Sequence, residues 1–78
     1  MDIKSFVQNF AEQFDDIDTS GFTPETQFKE NEEWSSMTAL SVIAMVDQNY
    51  SVQLTGNDIR GSSTILDIFN IVSEKVKQ

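Results

Sequence analysis

Two adjacent hydroxyls, Ser35 and Ser36, stand where an acidic stretch gives way to an apolar one, Met37-Thr38-Ala39-Leu40-Ser41-Val42-Ile43-Ala44-Met45-Val46. The chain contains no histidine and no cysteine. Nucleophilic catalysis by serine needs a neighbouring base, and none of the usual kind is present to form that pair. The chemistry left to these hydroxyls is that of a group acted upon. If a helix begins at the pair, its unpaired N–H groups and positive dipole end favour a phosphate carried on one of the two oxygens. The plain alternative is a serine that only caps the helix.

Carboxylates are the second source of chemistry. Asp15, Asp16, Asp18, Glu25, Glu30, Glu32 and Glu33 crowd one segment, with Lys29 alone against them. They fall in a loop without an evident cleft to raise a carboxyl pKa, so no general acid is expected there. Asp16, Asp18, Ser20 and Gly21 match the opening of a calcium-binding EF-hand loop, D-x-D-x-S-G. Counted from Asp16, however, the twelfth position is Gln27, where calcium needs a bidentate glutamate, and Pro24 holds the ninth. The sequence thus predicts no catalytic residue and no metal site, and a protein that is not an enzyme.

The elements that must position the serines follow from periodicity. Ile3, Phe6, Val7, Phe10 and Phe14 form an apolar stripe, which predicts an amphipathic helix from about Asp2 to Phe14, capped by Asp2. From Asp15 to Trp34 the rhythm fades into turn formers, a long loop in which Phe22 and Phe28 should pack inward and Thr23-Pro24 could begin a helical turn. Trp34 is expected to anchor that acidic loop. A second helix is predicted from the serine pair to about Asn49, capped by Ser35 or Ser36, with Met37, Leu40, Val42, Ile43, Ala44 and Val46 supplying a broad apolar surface whose rhythm continues to Tyr50. Residues 50–54 read as an extended linker with Val52 or Leu54 tucked in. Thr55 with Asp58, and Thr64 with Asp67, have capping-box spacing. They predict a short helix ending near Gly61 and a last one carrying Ile65, Ile68, Phe69, Val72 and Val76 on one face, with Lys75 and Lys77 at its negative end. The fold class expected is all-α: a small four-helix bundle, three main helices plus one short helix, with a long first loop.

This order of elements, with the serine motif at the second helix, resembles an acyl carrier protein over nearly the whole chain. The family usually shows Asp-Ser-Leu at its modified serine, and here the motif is Ser35-Ser36-Met37. Methionine for leucine exchanges one flexible apolar side chain for another. Ser35 takes the place of an aspartate that, in the family, sits beside the metal and phosphate during transfer. The resemblance implies that Ser36 bears a covalent 4′-phosphopantetheine whose thiol carries acyl groups as thioesters, for fatty acid, polyketide or related lipid biosynthesis. It implies a phosphopantetheinyl transferase and acyl-processing enzymes with basic docking patches as partners. The alternative is an unmodified interaction module in which Ser36 is only a helix cap.

Size and charge bound these expectations. A chain of 78 residues fits one domain, residues 1–78. Its formal net charge of −8 repels nucleic acid and anionic lipid, favours partners that present Lys and Arg, and leans toward a monomer. No run approaches the roughly 18 apolar residues of a membrane span. The Met1-Asp2-Ile3-Lys4 start lacks a secretory pattern, and the absence of cysteine suits a reducing cytoplasm.

Overall fold

The computed structural model describes residues 2–15 and 18–76 of the chain. Asp16, where the partial calcium-loop match begins, and Lys77, expected at the negative end of the last helix, lie outside the described residues. Four α-helices follow in order, α1 (Ile3–Ala11), α2 (Ser36–Tyr50), α3 (Gly56–Arg60) and α4 (Ile65–Val76), with a 3₁₀ turn at Phe28–Glu30 inside the long loop and no strand among the described residues. The expected all-α bundle of three main helices and one short one is what the chain forms.

Each start is fixed by a local side-chain cap. Asp2 accepts from the N–H groups of Lys4 and Ser5, satisfying donors that the first turn of α1 leaves unpaired. Thr55 and Asp58 make a reciprocal capping box at α3. Thr64 and Asp67 do the same at α4, where the Asp67 carboxylate also accepts from Ser63 N–H. α1 is shorter than its stripe suggests, because the chain turns after Ala11, yet Phe14 still reaches the core from the turn that follows.

α1, α2 and α4 pack on one another and α3 packs on α4. The interior is aromatic: Phe6, Phe10 and Phe28 are fully buried, and Phe14 nearly so. Phe10 meets Phe28 edge-on at 5.1 Å, and Phe6 meets Phe69 at 5.4 Å, the tilted geometry that ring quadrupoles favour. The linker buries both Val52 and Leu54, where the sequence required only one.

The long loop is ordered by the last helix. Ile65 and Leu66, whose N–H groups open α4, donate to the carbonyls of Thr26 (3.2 Å) and Pro24 (2.8 Å). Two orphan donors are satisfied and a turn at Thr23–Thr26 is pinned in one step. That turn is not helical, and the helical turn comes later, at Phe28, whose ring drops into the core. Trp34 packs edge-on against Phe28 at 4.8 Å and closes the loop over the core, as expected of an anchor.

Two apolar assignments need correction. On α2 the buried residues are Val42, Met45 and Val46, with Ala39, Ile43 and Tyr50 packed at the edge, while Ala44 is exposed and Met37 and Leu40 are 80% and 65% exposed. Val42, Ile43, Val46 and Tyr50 of the expected face thus pack inward, while Met37, Leu40 and Ala44 do not. A helix apolar on most of its circumference carries too little contrast to choose between them, and contact with α1 and α4 decides. On α4, Val76 is 51% exposed, since the last turn extends past the elements that could cover it.

Candidate functional site

The serine pair divides its labour. Ser35 is the N-cap, its Oγ accepting from Thr38 N–H at 3.3 Å, and Thr38 Oγ1 in turn donates to the carbonyl of Glu33 at 2.9 Å. Ser35 carbonyl accepts from Ala39 N–H at 2.9 Å, the bond that opens α2. Ser36 is therefore the first helical residue and takes no part in the cap. It is exposed, and the N–H groups of Ser36 and Met37 are those that a first helical turn cannot pair internally. An anion on Ser36 Oγ would thus sit against unpaired donors and the positive end of a helix of 15 residues.

What lies on either side of this hydroxyl differs. One flank is acidic: Asp15, Glu32 and Glu33 line a polar depression together with Ser35, Met37 and Ser41. The other flank is an apolar pocket of about 530 Å³ between α2 and α3, with Trp34, Ala39, Leu40, Ile43 and Ile59 on its walls and Ser36 at its edge. Lys29 and Arg60 belong to this second flank. In the sequence Lys29 stands out only as the lone cation of an acidic run, and Arg60 not at all. They reach the pocket because the long loop folds back, which placed Lys29 Nζ 2.9 Å from the Arg60 carbonyl across 31 positions of sequence.

Several sequence-predicted groups are engaged elsewhere. Asp58, the capping-box carboxylate, accepts from Thr55 N–H and pairs with Lys75 Nζ at 2.7 Å. The Lys75 ammonium holds the Asp58 carboxyl below the usual aspartate range. Lys75, in the last turn of α4 as expected, also donates to the Gln53 carbonyl, so it ties α4 to the linker and to α3. Asp18 accepts from the N–H of Ser20 at 3.0 Å, a local turn that keeps its carboxyl low. Among the described residues no three acidic side chains converge as a metal site would require. Among the described residues, too, no helix is long and apolar enough to cross a membrane.

No family model, no curated protein and no solved structure matches this chain.

Proposed function

We propose that this protein is an acyl carrier: a non-catalytic helical domain whose Ser36 accepts a 4′-phosphopantetheine arm. The observation that carries the reading is the split of the serine pair, with Ser35 spending its oxygen on the cap while Ser36 presents an exposed one at the helix start. The alternative, an unmodified module in which Ser36 caps the helix, loses its specific role for Ser36, because the cap is its neighbour. The residues fit the arm: Ser36 Oγ would be its attachment point, the N–H groups of Ser36 and Met37 would face its phosphate, and the pocket edged by Leu40 and Ile43 lies alongside. When bound, the arm supplies the thiol that this chain lacks.

Partners would be the transferase that installs the arm and acyl-processing enzymes with basic patches. Docking charge comes from the loop ahead of α2, at Glu32 and Glu33, more than from the helix itself, where Asp47 is the one acidic residue. Exposed Met37 and Leu40 give that surface an apolar centre, and such a mixed patch sets association rate and partner choice through its charges. The cytoplasm, where these partners and the arm's donor would be found, is the proposed location.

The test is the intact mass after incubation with a broad phosphopantetheinyl transferase and coenzyme A. Wild type should gain one arm and Ser36→Ala none; an unmodified wild type, or a gain that survives Ser36→Ala, rejects the proposal. Ser35→Asp preserves the cap, since aspartate and serine are comparable there. It restores the motif carboxylate, and transfer should quicken; an unchanged rate shows that Ser35 suffices.

A further inference from the structure

The pocket between α2 and α3 has a charge pattern opposite to that of the molecule. The chain carries a formal net charge of −8 and has five basic residues, yet two of them, Lys29 and Arg60, line this one pocket, and no carboxylate does. Both are held in place by neutral groups. Lys29 Nζ donates to the Arg60 carbonyl, and the Arg60 guanidinium folds back along α3 to the side-chain oxygen of Asn57. Its Nη1 lies 3.8 Å from where a Cβ on Gly56 would stand, which places the guanidinium over the start of α3. Among the described residues the one ion pair is Lys75 with Asp58, which leaves the charges of Lys29 and Arg60 without a carboxylate partner. Beside them the walls are Trp34, Leu40, Ile43 and Ile59. At about 530 Å³ the cavity falls within the roughly 300–1,000 Å³ of small-molecule sites.

We infer that this pocket binds an aliphatic chain bearing a negatively charged group, with the chain on the apolar walls and the anion held by Lys29 and Arg60. Two sources share that chemistry: a free carboxylic acid, or an acyl group with a terminal carboxylate delivered on an arm at Ser36. The inference goes beyond the carrier reading, and its first source does not depend on it.

Trp34 is the single tryptophan and lines the pocket, so its fluorescence reports occupancy. The unmodified full chain is titrated with decanoate, decanol and decyltrimethylammonium below their micellar concentrations. Decanoate should give a saturable change and bind about tenfold more tightly than either of the others. The double variant Lys29→Gln, Arg60→Gln should remove that preference and leave decanol binding unchanged, with an unaltered circular dichroism spectrum showing that it folds. Ser36→Ala should bind decanoate like wild type if free acid is the ligand. If free decanoate does not bind, the second source is read on protein carrying a decanoyl or a terminally carboxylated decanoyl arm: only the carboxylated arm should shift Trp34, and the shift should vanish in the double variant. Equal response to charged and neutral chains in both arms, or a preference that survives the double variant, overturns the inference. Failure of the transferase to modify Ser36 removes only the second arm and tells against the carrier reading instead.

Discussion

The two ends of α2 are built for different purposes. Toward Tyr50 the helix is locked: Val42, Met45 and Val46 are buried, Tyr50 lies 5.5 Å from Phe6, and its hydroxyl accepts from Asn9 at 3.0 Å. Toward Ser36 the same helix leaves Met37 and Leu40 in solvent, beside an open pocket. Both halves are equally apolar in composition, so hydrophobicity alone does not separate them. What separates them is cover. α1 and α4 supply aromatic rings at one end, and at the other α3 and the acidic loop stand off enough to leave a cavity. An end that must meet other molecules forgoes burial that a purely structural helix would take, and the aromatic end compensates.

That contrast is broken first by removing an aromatic ring from the locked end. Phe6→Ala deletes a fully buried ring that lies 5.5 Å from Tyr50 and 5.4 Å from Phe69, and should cost about 3–5 kcal/mol, a large share of the stability of a chain this small. Urea unfolding checks this; a loss below about 1 kcal/mol would mean that the aromatic end does not hold the fold.

A smaller effect is expected where α3 is tied to α4. Asp58→Asn removes the charge that pairs with Lys75, whose partner is about a quarter exposed, and weakens the capping box, for about 1–2 kcal/mol. The Asp58 carboxyl is lowered in the folded state, chiefly by the Lys75 hydrogen bond. Its contribution is therefore fully present above the unfolded aspartate pKa of about 3.9 and is lost as pH falls through the lower folded value. Wild type should be the more stable at pH 6, and the two proteins should converge as pH drops below about 3. A gap that persists in acid would assign the effect to packing rather than charge.

The smallest change belongs to the open end. Met37→Ala and Leu40→Ala should each move stability by about 0.5 kcal/mol or less, since neither side chain is covered. The same variants should slow transfer to Ser36 if that surface meets the transferase, a loss of rate without loss of fold. Equal losses at both ends would erase the distinction between them.

What the sequence made legible was local. The caps at Asp2, Thr55 and Thr64 are short-range patterns of a hydroxyl or carboxylate before an apolar run, each appears where the spacing put it, and at α2 the cap falls on Ser35, one of the two serines the pattern allowed. The face of α2 was only partly legible: Val42, Ile43, Val46 and Tyr50 pack inward as expected, but Met37, Leu40 and Ala44 do not, because a helix apolar on most of its circumference gives the sequence no contrast to exclude them. Order in the long loop was only partly so: Phe22 and Phe28 announced that something packs inward, but the carbonyls of Pro24 and Thr26 meeting α4 depend on residues some 40 positions away. The candidate site divides in the same way. The helix start marks the serine pair and only the motif's resemblance singles out Ser36, while the cationic rim needs Lys29 and Arg60 brought together by the fold.

The central claim is tested most directly by finding where an arm is placed. After incubation with the transferase and coenzyme A, trypsin should release the segment between Lys29 and Arg60, residues 30–60, which holds both serines, and fragmentation should locate the added mass. The added mass should sit on Ser36 and nowhere else. An unmodified segment, or a mass on Ser35, would contradict it.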